Sequence, residues 1–99
     1  MKRPRSLVSE MQDTAAGGHD RRIIVLGNGR TAVASVAVRK LPGNRELYGY
    51  LQFRAGRHNV TKYIGNVTAA SHQQSLQIGW KLVRSKKLIN RVEGRWLRE

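Results

Sequence analysis

Alternating apolar and polar residues predict a β-hairpin in the middle of the chain, over residues 48–67. Successive side chains of a strand lie on opposite faces, so one face of the first arm is expected to meet the core. That face carries Leu47, Leu51 and Phe53. The other face, expected to be exposed or half exposed, carries Tyr48, Tyr50, Gln52 and Arg54. On the return arm, Val60, Lys62 and Ile64 alternate with Thr61, Tyr63 and Gly65. The loop is expected to be AGRHN, in which Gly56 permits a left-handed conformation.

An earlier hairpin is predicted by short β-branched runs on either side of an Asn-Gly pair. Arg21–Leu26 reads RRIIVL, and Asn28-Gly29 is typical of a tight turn whose two central residues both accept a positive φ. Thr31–Lys40 would be the return strand, although its alanines also fit a helix. The turn and the valines favour the strand. Pro42-Gly43 then fits the centre of a type II turn.

Helical periodicity over residues 68–90 predicts one long C-terminal helix. Its apolar stripe has the i, i+3, i+4, i+7 spacing of a face that packs on a sheet. The stripe consists of Leu76, Gly79, Trp80 and Val83. Thr68 or Ser71 can cap the start of the helix. Residues 6–14 could form a short helix with Leu7, Val8 and Met11 on one face. A disordered terminus is the favoured interpretation, and a basic arm that follows a groove or a phosphate backbone is the alternative.

These elements predict an α+β fold, with a small antiparallel sheet of three to four strands in two hairpins packed against the C-terminal helix. A flexible basic N-terminal arm is expected over residues 1–20, a single α+β domain over residues 21–92, and a tail over residues 93–99. A chain of 99 residues has room for one domain with one core.

Charge is the strongest functional signal in the sequence. The formal net charge is +13, and between Arg21 and Arg91 fourteen Lys or Arg residues accompany one acid, Glu46. Such an excess attracts polyanions, so nucleic acid is the expected partner, ahead of an anionic membrane. The alternative is a soluble basic protein with no polyanionic partner.

Cysteine is absent, so the chain can form neither a disulfide nor a thiolate metal site. The sequence has no apolar run of about 18 residues that could span a membrane. Its first residues also lack the apolar stretch of a signal peptide. A cytoplasmic protein without a membrane partner is therefore expected.

Two clusters of cationic and polar side chains are candidate nucleic-acid contacts. Arg can grip phosphate, and Gln or Asn can read the edge of a base. The cluster on the central hairpin comprises Tyr50, Gln52, Arg54, Arg57, His58, Asn59 and Lys62. The cluster on the C-terminal helix comprises Lys81, Arg84 and Lys87, with Lys86 beside them, and continues to Arg91, Arg95 and Arg98 as a possible second contact to the phosphate backbone. In both clusters the charges could instead be merely solvated. The tyrosines of the hairpin could stack on unpaired bases, although packing across the strands is their commoner role.

Catalytic residues are not grouped in this sequence. Metal-dependent nucleases need clustered carboxylates, and the acids here are scattered. The histidines, His19, His58 and His72, have no metal-ligand spacing, and no carboxylate close in sequence would orient His58 as a general base. We therefore expect no enzymatic activity, no cofactor and no metal.

The order of strands and helix, with YGYLQFRAGRHNVTKYIGNVTAA at its centre, resembles the arm-type DNA-binding domains at the N-terminus of tyrosine integrases, which are grouped with the AP2-like plant domains. The match covers residues 47–83. Residues 50–65 are also similar to small uncharacterised prokaryotic proteins with a YLYxRWREGGKxRxxYIG-like core. The integrase resemblance implies a sheet that enters the major groove with the helix packed behind it. The implied contacts are Tyr50, Gln52, Arg54 and Lys62. Recombinase activity is not implied, because no recombinase domain follows the helix.

The sequence thus predicts a non-enzymatic nucleic-acid-binding protein of prokaryotic or phage origin that contacts double-stranded DNA through its basic hairpin. DNA is favoured over RNA, and RNA or ribosome binding is one alternative. Another is a basic protein-interaction module, such as an inhibitor of a nucleic-acid-handling host protein. Sequence preference and oligomeric state are left open.

Overall fold

The structure, a computed structural model, describes residues 7–98 of the chain. Along these residues the elements are α1 (Leu7–Ala16), a 3₁₀ turn (His19–Arg22), β1 (Ile23–Leu26), β2 (Thr31–Val33), β3 (Ser35–Lys40), β4 (Leu47–Ala55), β5 (His58–Asn66), α2 (His72–Ser85) and β6 (Gly94–Trp96). The cations at positions 2, 3 and 5 of the expected N-terminal arm lie outside the described residues. None of the helices within residues 7–98 is long and apolar enough to cross a bilayer.

The six strands of the described residues form two antiparallel sheets, with strand orders β2-β1-β6 and β3-β4-β5. The α+β class predicted from the sequence is confirmed, with two small sheets where a single sheet of three to four strands was expected. One core serves both sheets and α2. Its buried side chains include Ile24, Val36, Leu51, Ile64, Leu76, Trp80 and Val83.

A bend at Ala34 joins the two sheets. Thr31–Lys40 is extended, as predicted, but it is divided into β2, which pairs with β1, and β3, which pairs with β4. Ala34 lies between them, fully buried, and its N–H donates to the carbonyl of Arg22 at 2.8 Å. One strand segment therefore passes from one sheet into the other.

The loop between β1 and β2 differs from the predicted two-residue turn. Leu26 donates its N–H to the carbonyl of Arg30 at 2.7 Å, so the loop has three residues. Gly29 has φ +86°, whereas Asn28 has a negative φ. This combination is typical of a three-residue hairpin loop that ends in a left-handed glycine. At the next break, the N–H of Asn44 donates to the carbonyl of Leu41 at 3.1 Å and Gly43 has φ +75°, as the predicted type II turn requires.

The β4–β5 hairpin turns through only two residues, Gly56 and Arg57, because Ala55 pairs directly with His58. Gly56 has φ +62°, which a two-residue turn of this kind requires at its first position. The predicted five-residue loop AGRHN was therefore too long. Farther from the turn, a β-bulge between Gly49 and Tyr50 changes the register between β4 and β5.

Helix α2 packs its predicted stripe on the β3-β4-β5 sheet. Leu76, Gly79, Trp80 and Val83 are all buried. The Ser71 hydroxyl accepts the N–H of Gln74 at 3.2 Å and caps the first turn. Gly79 permits the close approach, since a Cβ there would lie 2.6 Å from Cγ1 of Val36. The helix ends at Ser85, five residues before the predicted end.

Helix α1 packs on the domain and is not part of a flexible arm over residues 1–20. The Gln12 side chain donates to the carbonyl of Val36 at 2.7 Å and accepts the N–H of the same residue at 3.1 Å. Its oxygen also accepts the indole N–H of Trp80 at 3.0 Å. Gln12 therefore covers the outer edge of β3, which would otherwise present unpaired backbone groups. Of the expected apolar face, Met11 is half-buried and packs against the core, whereas Leu7 and Val8 are each 71% exposed.

The C-terminal residues also belong to the domain, where a tail was expected from residue 93. Strand β6 pairs with β1, with Trp96 opposite Ile24. The Trp96 ring is buried and packs edge-on against Trp80, with ring centroids 5.8 Å apart. Strand β6 thus adds an aromatic side chain to the core that α2 also contacts.

Candidate nucleic-acid interface

One face of the β3-β4-β5 sheet is not covered by either helix. Leu51 and Phe53 are buried on the side of the sheet that α2 covers. The residues that alternate with them along β4, and the residues paired with those on β3 and β5, lie on the other side, which we call the open face. The open face carries Ser35, Ala37, Arg39, Tyr48, Tyr50, Gln52, Arg54, Asn59, Thr61, Tyr63 and Asn66. Every one of these residues is exposed or half-buried. The cross-strand register, which pairs Gln52 with Thr61 and Arg54 with Asn59, places the predicted contacts Tyr50, Gln52, Arg54 and Asn59 together.

The tyrosines of the open face pack on one another. Tyr50 and Tyr63 meet edge to face with ring centroids 5.5 Å apart, and Tyr48 lies 6.4 Å from Tyr63. The guanidinium of Arg39 covers the Tyr50 ring at 5.1 Å. These contacts match the cross-strand packing expected as the commoner role of such rings. The Tyr63 side chain is the most open of the three, at 56% exposure.

At the end of the sheet away from the hairpin tip, a carboxylate fixes the Tyr48 ring. The Tyr48 hydroxyl donates to Glu46 at 2.8 Å, and this hydrogen bond raises the pKa of Tyr48 above its ordinary value. Asn44 donates to the same hydroxyl at 3.2 Å. Glu46, the one acid between Arg21 and Arg91, therefore lies at the border of the open face, where its carboxylate accepts a hydrogen bond from Tyr48.

The tip of the β4–β5 hairpin brings together arginines from two hairpins. Arg54 and Arg57 are both exposed there, and Arg54 donates from Nε to the carbonyl of Gly56 at 3.2 Å. Arg30, from the β1–β2 loop, lines a depression of about 290 Å³ with Arg54 and Gly56. Arg30 was not a predicted contact, because only the bend at Ala34 brings the two loops close.

Polar side chains beside the tip form a second shallow depression of about 430 Å³. Its lining includes Gln52 and Asn59, with Ser35 and Thr61 beside them. His58 pairs with Ala55, so its side chain lies on the side of the sheet that α2 covers, where it is exposed at the end of the strand. Of the predicted hairpin contacts, His58 therefore lies at the tip but outside the open face.

Lys62 does not lie where the predicted contacts place it. It pairs with Leu51 and thus lies on the α2 side of the sheet, where it forms an ion pair with Glu93 and donates to the carbonyl of Leu88 at 2.7 Å. Lys62 does not share the face of Tyr50, Gln52 and Arg54, contrary to what the integrase resemblance implies. Its contacts tie β5 to the segment that follows α2.

The predicted helix contacts lie away from the open face. Lys81 is exposed on the side of α2 opposite the buried stripe. Arg84 is half-buried, donates to the carbonyl of Arg21 at 2.7 Å and stacks 4.9 Å from the Trp96 ring centroid. Lys87 is exposed just beyond the helix.

No protein-family model, no curated protein and no solved structure matches this chain.

Proposed function

We propose that the protein binds double-stranded DNA through the open face and the adjoining hairpin tip. The observation that carries the proposal is an uncovered three-stranded sheet with arginine and amide side chains, held from behind by α2. Its cations are Arg39 and Arg54, with Arg30 and Arg57 at the tip. Glu46 lies at the border of this surface, where its carboxylate accepts the Tyr48 hydroxyl.

The dimensions of the sheet support a major-groove ligand. Neighbouring strands lie about 4.8 Å apart, so the outer strands of three are about 10 Å apart. The major groove of B-DNA is about 12 Å wide and admits a two-stranded β-ribbon, here β4 and β5, which carry Gln52, Arg54 and Asn59. Arg54 and Arg57 would meet phosphates or guanine edges, and Gln52 and Asn59 could pair with adenine. The proposal places this activity in the cytoplasm.

A titration of a labelled duplex by fluorescence anisotropy tests the proposal. At about 50 mM salt we expect binding tighter than micromolar, weakening steeply by about 200 mM as condensed counterions are released. The variant Arg54→Gln with Arg57→Gln should bind about tenfold more weakly or worse, and its salt slope should fall by about two. Its thermal midpoint should stay near that of the wild type, because both side chains are exposed.

A charge-matched variant, Lys81→Gln with Arg98→Gln, separates this surface from net charge. Both residues are exposed and lie outside the open face, so we expect less than about a twofold change in affinity, or about 0.4 kcal/mol. Equal losses in the two variants, or no salt-dependent binding by the wild type, would overturn the proposal. Competition by structured RNA that is stronger than competition by duplex DNA would favour the RNA alternative.

A further inference from the structure

A cationic pocket lies where the end of α2 meets β6, apart from the open face. It has a volume of about 410 Å³. Four of its seven lining residues are cations, and the lining comprises Arg84, Lys87, Ile89, Arg91, Gly94, Arg95 and Trp96. The neighbouring carboxylate, Glu93, is engaged by Lys62 and accepts the N–H of Asn90 at 3.2 Å. Like charges gathered around a cavity repel one another, and a bound anion removes that repulsion.

The pocket is prearranged for phosphate and not for an aromatic ring. The Arg84 guanidinium is held between the carbonyl of Arg21 and the Trp96 ring, so little side-chain freedom is lost on binding. Trp96 itself is 8% exposed, with Arg84 over its face and Trp80 at its edge. It therefore has no open face on which a base could stack.

Backbone strain in the pocket wall is an independent sign of function. Lys87 has φ +51°, and no other non-glycine residue of the described chain has a positive φ. The chain leaves α2 there through a helix-ending turn, in which Leu88 N–H donates to Val83 and Lys87 N–H to Arg84, each at 3.3 Å. Glycine is the favoured residue at this position of the turn. A strained lysine in its place points to a use for the ammonium group.

We propose that this pocket is a second anion site, which binds a chain of two or more phosphate groups through Arg84, Lys87, Arg91 and Arg95. The ligand is recognised by charge and by guanidinium forks. It can be a free oligophosphate or a stretch of nucleic-acid backbone, since both present the same oxygens. The site does not depend on the open face binding DNA.

Titration with inorganic tripolyphosphate at low salt, followed by tryptophan fluorescence, tests the pocket directly because Trp96 lines it. We expect a saturable signal. Lys87→Gln should weaken the binding about fivefold, and Arg91→Gln with Arg95→Gln about tenfold or more. The control Lys81→Gln with Arg98→Gln should change it less than about twofold. An absent signal, or equal losses in control and pocket variants, would overturn the proposal.

Lys87→Gly distinguishes a binding role from a structural one. Glycine relieves the positive φ, so the thermal midpoint should rise by up to about 4–8 °C while tripolyphosphate affinity falls as in Lys87→Gln. A lower midpoint with unchanged affinity would mean that Lys87 serves the fold alone, and would contradict the proposal.

Adding duplex DNA identifies the source of the phosphate. If backbone phosphates fill the pocket, DNA will compete with tripolyphosphate and the pocket variants will also weaken DNA binding. If the ligand is a free oligophosphate, tripolyphosphate will bind equally well to the DNA complex. The variant Arg54→Gln with Arg57→Gln should keep its tripolyphosphate affinity in both cases, so failure at the open face remains distinct from failure at this pocket.

Discussion

Replacing Arg22 with Met is expected to lower the free energy of unfolding by about 3–5 kcal/mol. Arg22 is 5% exposed, and its Nη1 lies 2.8 Å from Oδ1 of Asp13, itself 8% exposed. Methionine keeps most of the apolar stem but removes the guanidinium that compensates the buried carboxylate. Urea unfolding should show a lower midpoint with an unchanged slope.

The other Arg22 contacts explain why the loss should be large. Its Nε donates to the carbonyl of Ala34 at 2.9 Å, and its Nη2 donates to the Ser35 hydroxyl at 2.9 Å. One side chain therefore joins α1, through Asp13, to the bend that links the two sheets. Losing it removes the donor to the buried carbonyl of Ala34 and the guanidinium beside Asp13, which costs more than losing an exposed hydrogen bond.

A second substitution separates the buried charge from the loss of packing. The variant Arg22→Met with Asp13→Leu no longer contains the buried carboxylate that the guanidinium compensates. We expect this double variant to recover at least about 1 kcal/mol relative to Arg22→Met, because apolar replacements of buried ion pairs are often tolerated. Additive losses would show that Asp13 and Arg22 contribute independently.

The central hairpin shows what alternation alone can predict. Leu51 and Phe53 are buried, and Tyr50, Gln52 and Arg54 lie on the opposite face, as the alternation predicted. Pairing between the arms depends on the length of the turn as well. A five-residue loop would place Lys62 opposite Gln52, whereas the two-residue turn places it opposite Leu51. A shift of one residue moves a side chain to the other face, so the length of the turn decides which side of the sheet Lys62 occupies. The integrase resemblance implied the wrong face for Lys62.

The packing of α1 and the end of α2 were predicted wrongly for a different reason. The packed face of α1 carries Gln12 and Asp13, whose partners at Val36 and Arg22 are brought close only by the tertiary fold. Apolar periodicity cannot detect a polar residue that is buried because it is paired. Beyond α2, Leu88 and Ile89 are half-buried, so the apolar pattern continues past the end of the helix. The helix ends because Lys87 has a positive φ, which a lysine in the sequence does not predict.

The cationic surfaces likewise depend on topology. Arg30 and Arg54 line one depression because the chain passes from the first sheet into the second at Ala34, and Arg95 and Lys87 line one pocket because β6 pairs with β1. The net charge predicted an anionic partner for the whole chain. It could not show that the cations divide between the open face and the pocket at the end of α2.

Replacing Gly94 with Ala should have the second large effect on stability, a loss of about 3–5 kcal/mol if the Trp96 side chain leaves the core. Gly94 begins β6, and a Cβ there would collide with the carbonyl oxygen of Val25 and lie 3.1 Å from Cα of Leu26. Both neighbours are backbone atoms of β1, so no side-chain rotation can relieve the contact. The strands must separate, and β6 carries Trp96 with it.

Gly29→Ala is the matched control for Gly94→Ala. Gly29 also has a positive φ, +86°, but a Cβ there would meet no atom within 4 Å, so the variant should lose only about 1–2 kcal/mol from backbone strain. In Gly94→Ala the tryptophan emission should also move to longer wavelength, since Trp96 would meet water. Equal losses in the two variants, with unchanged emission, would show that β6 tolerates the added methyl group. If β6 does separate, the tripolyphosphate signal should disappear with it, because Gly94, Arg95 and Trp96 all line the cationic pocket.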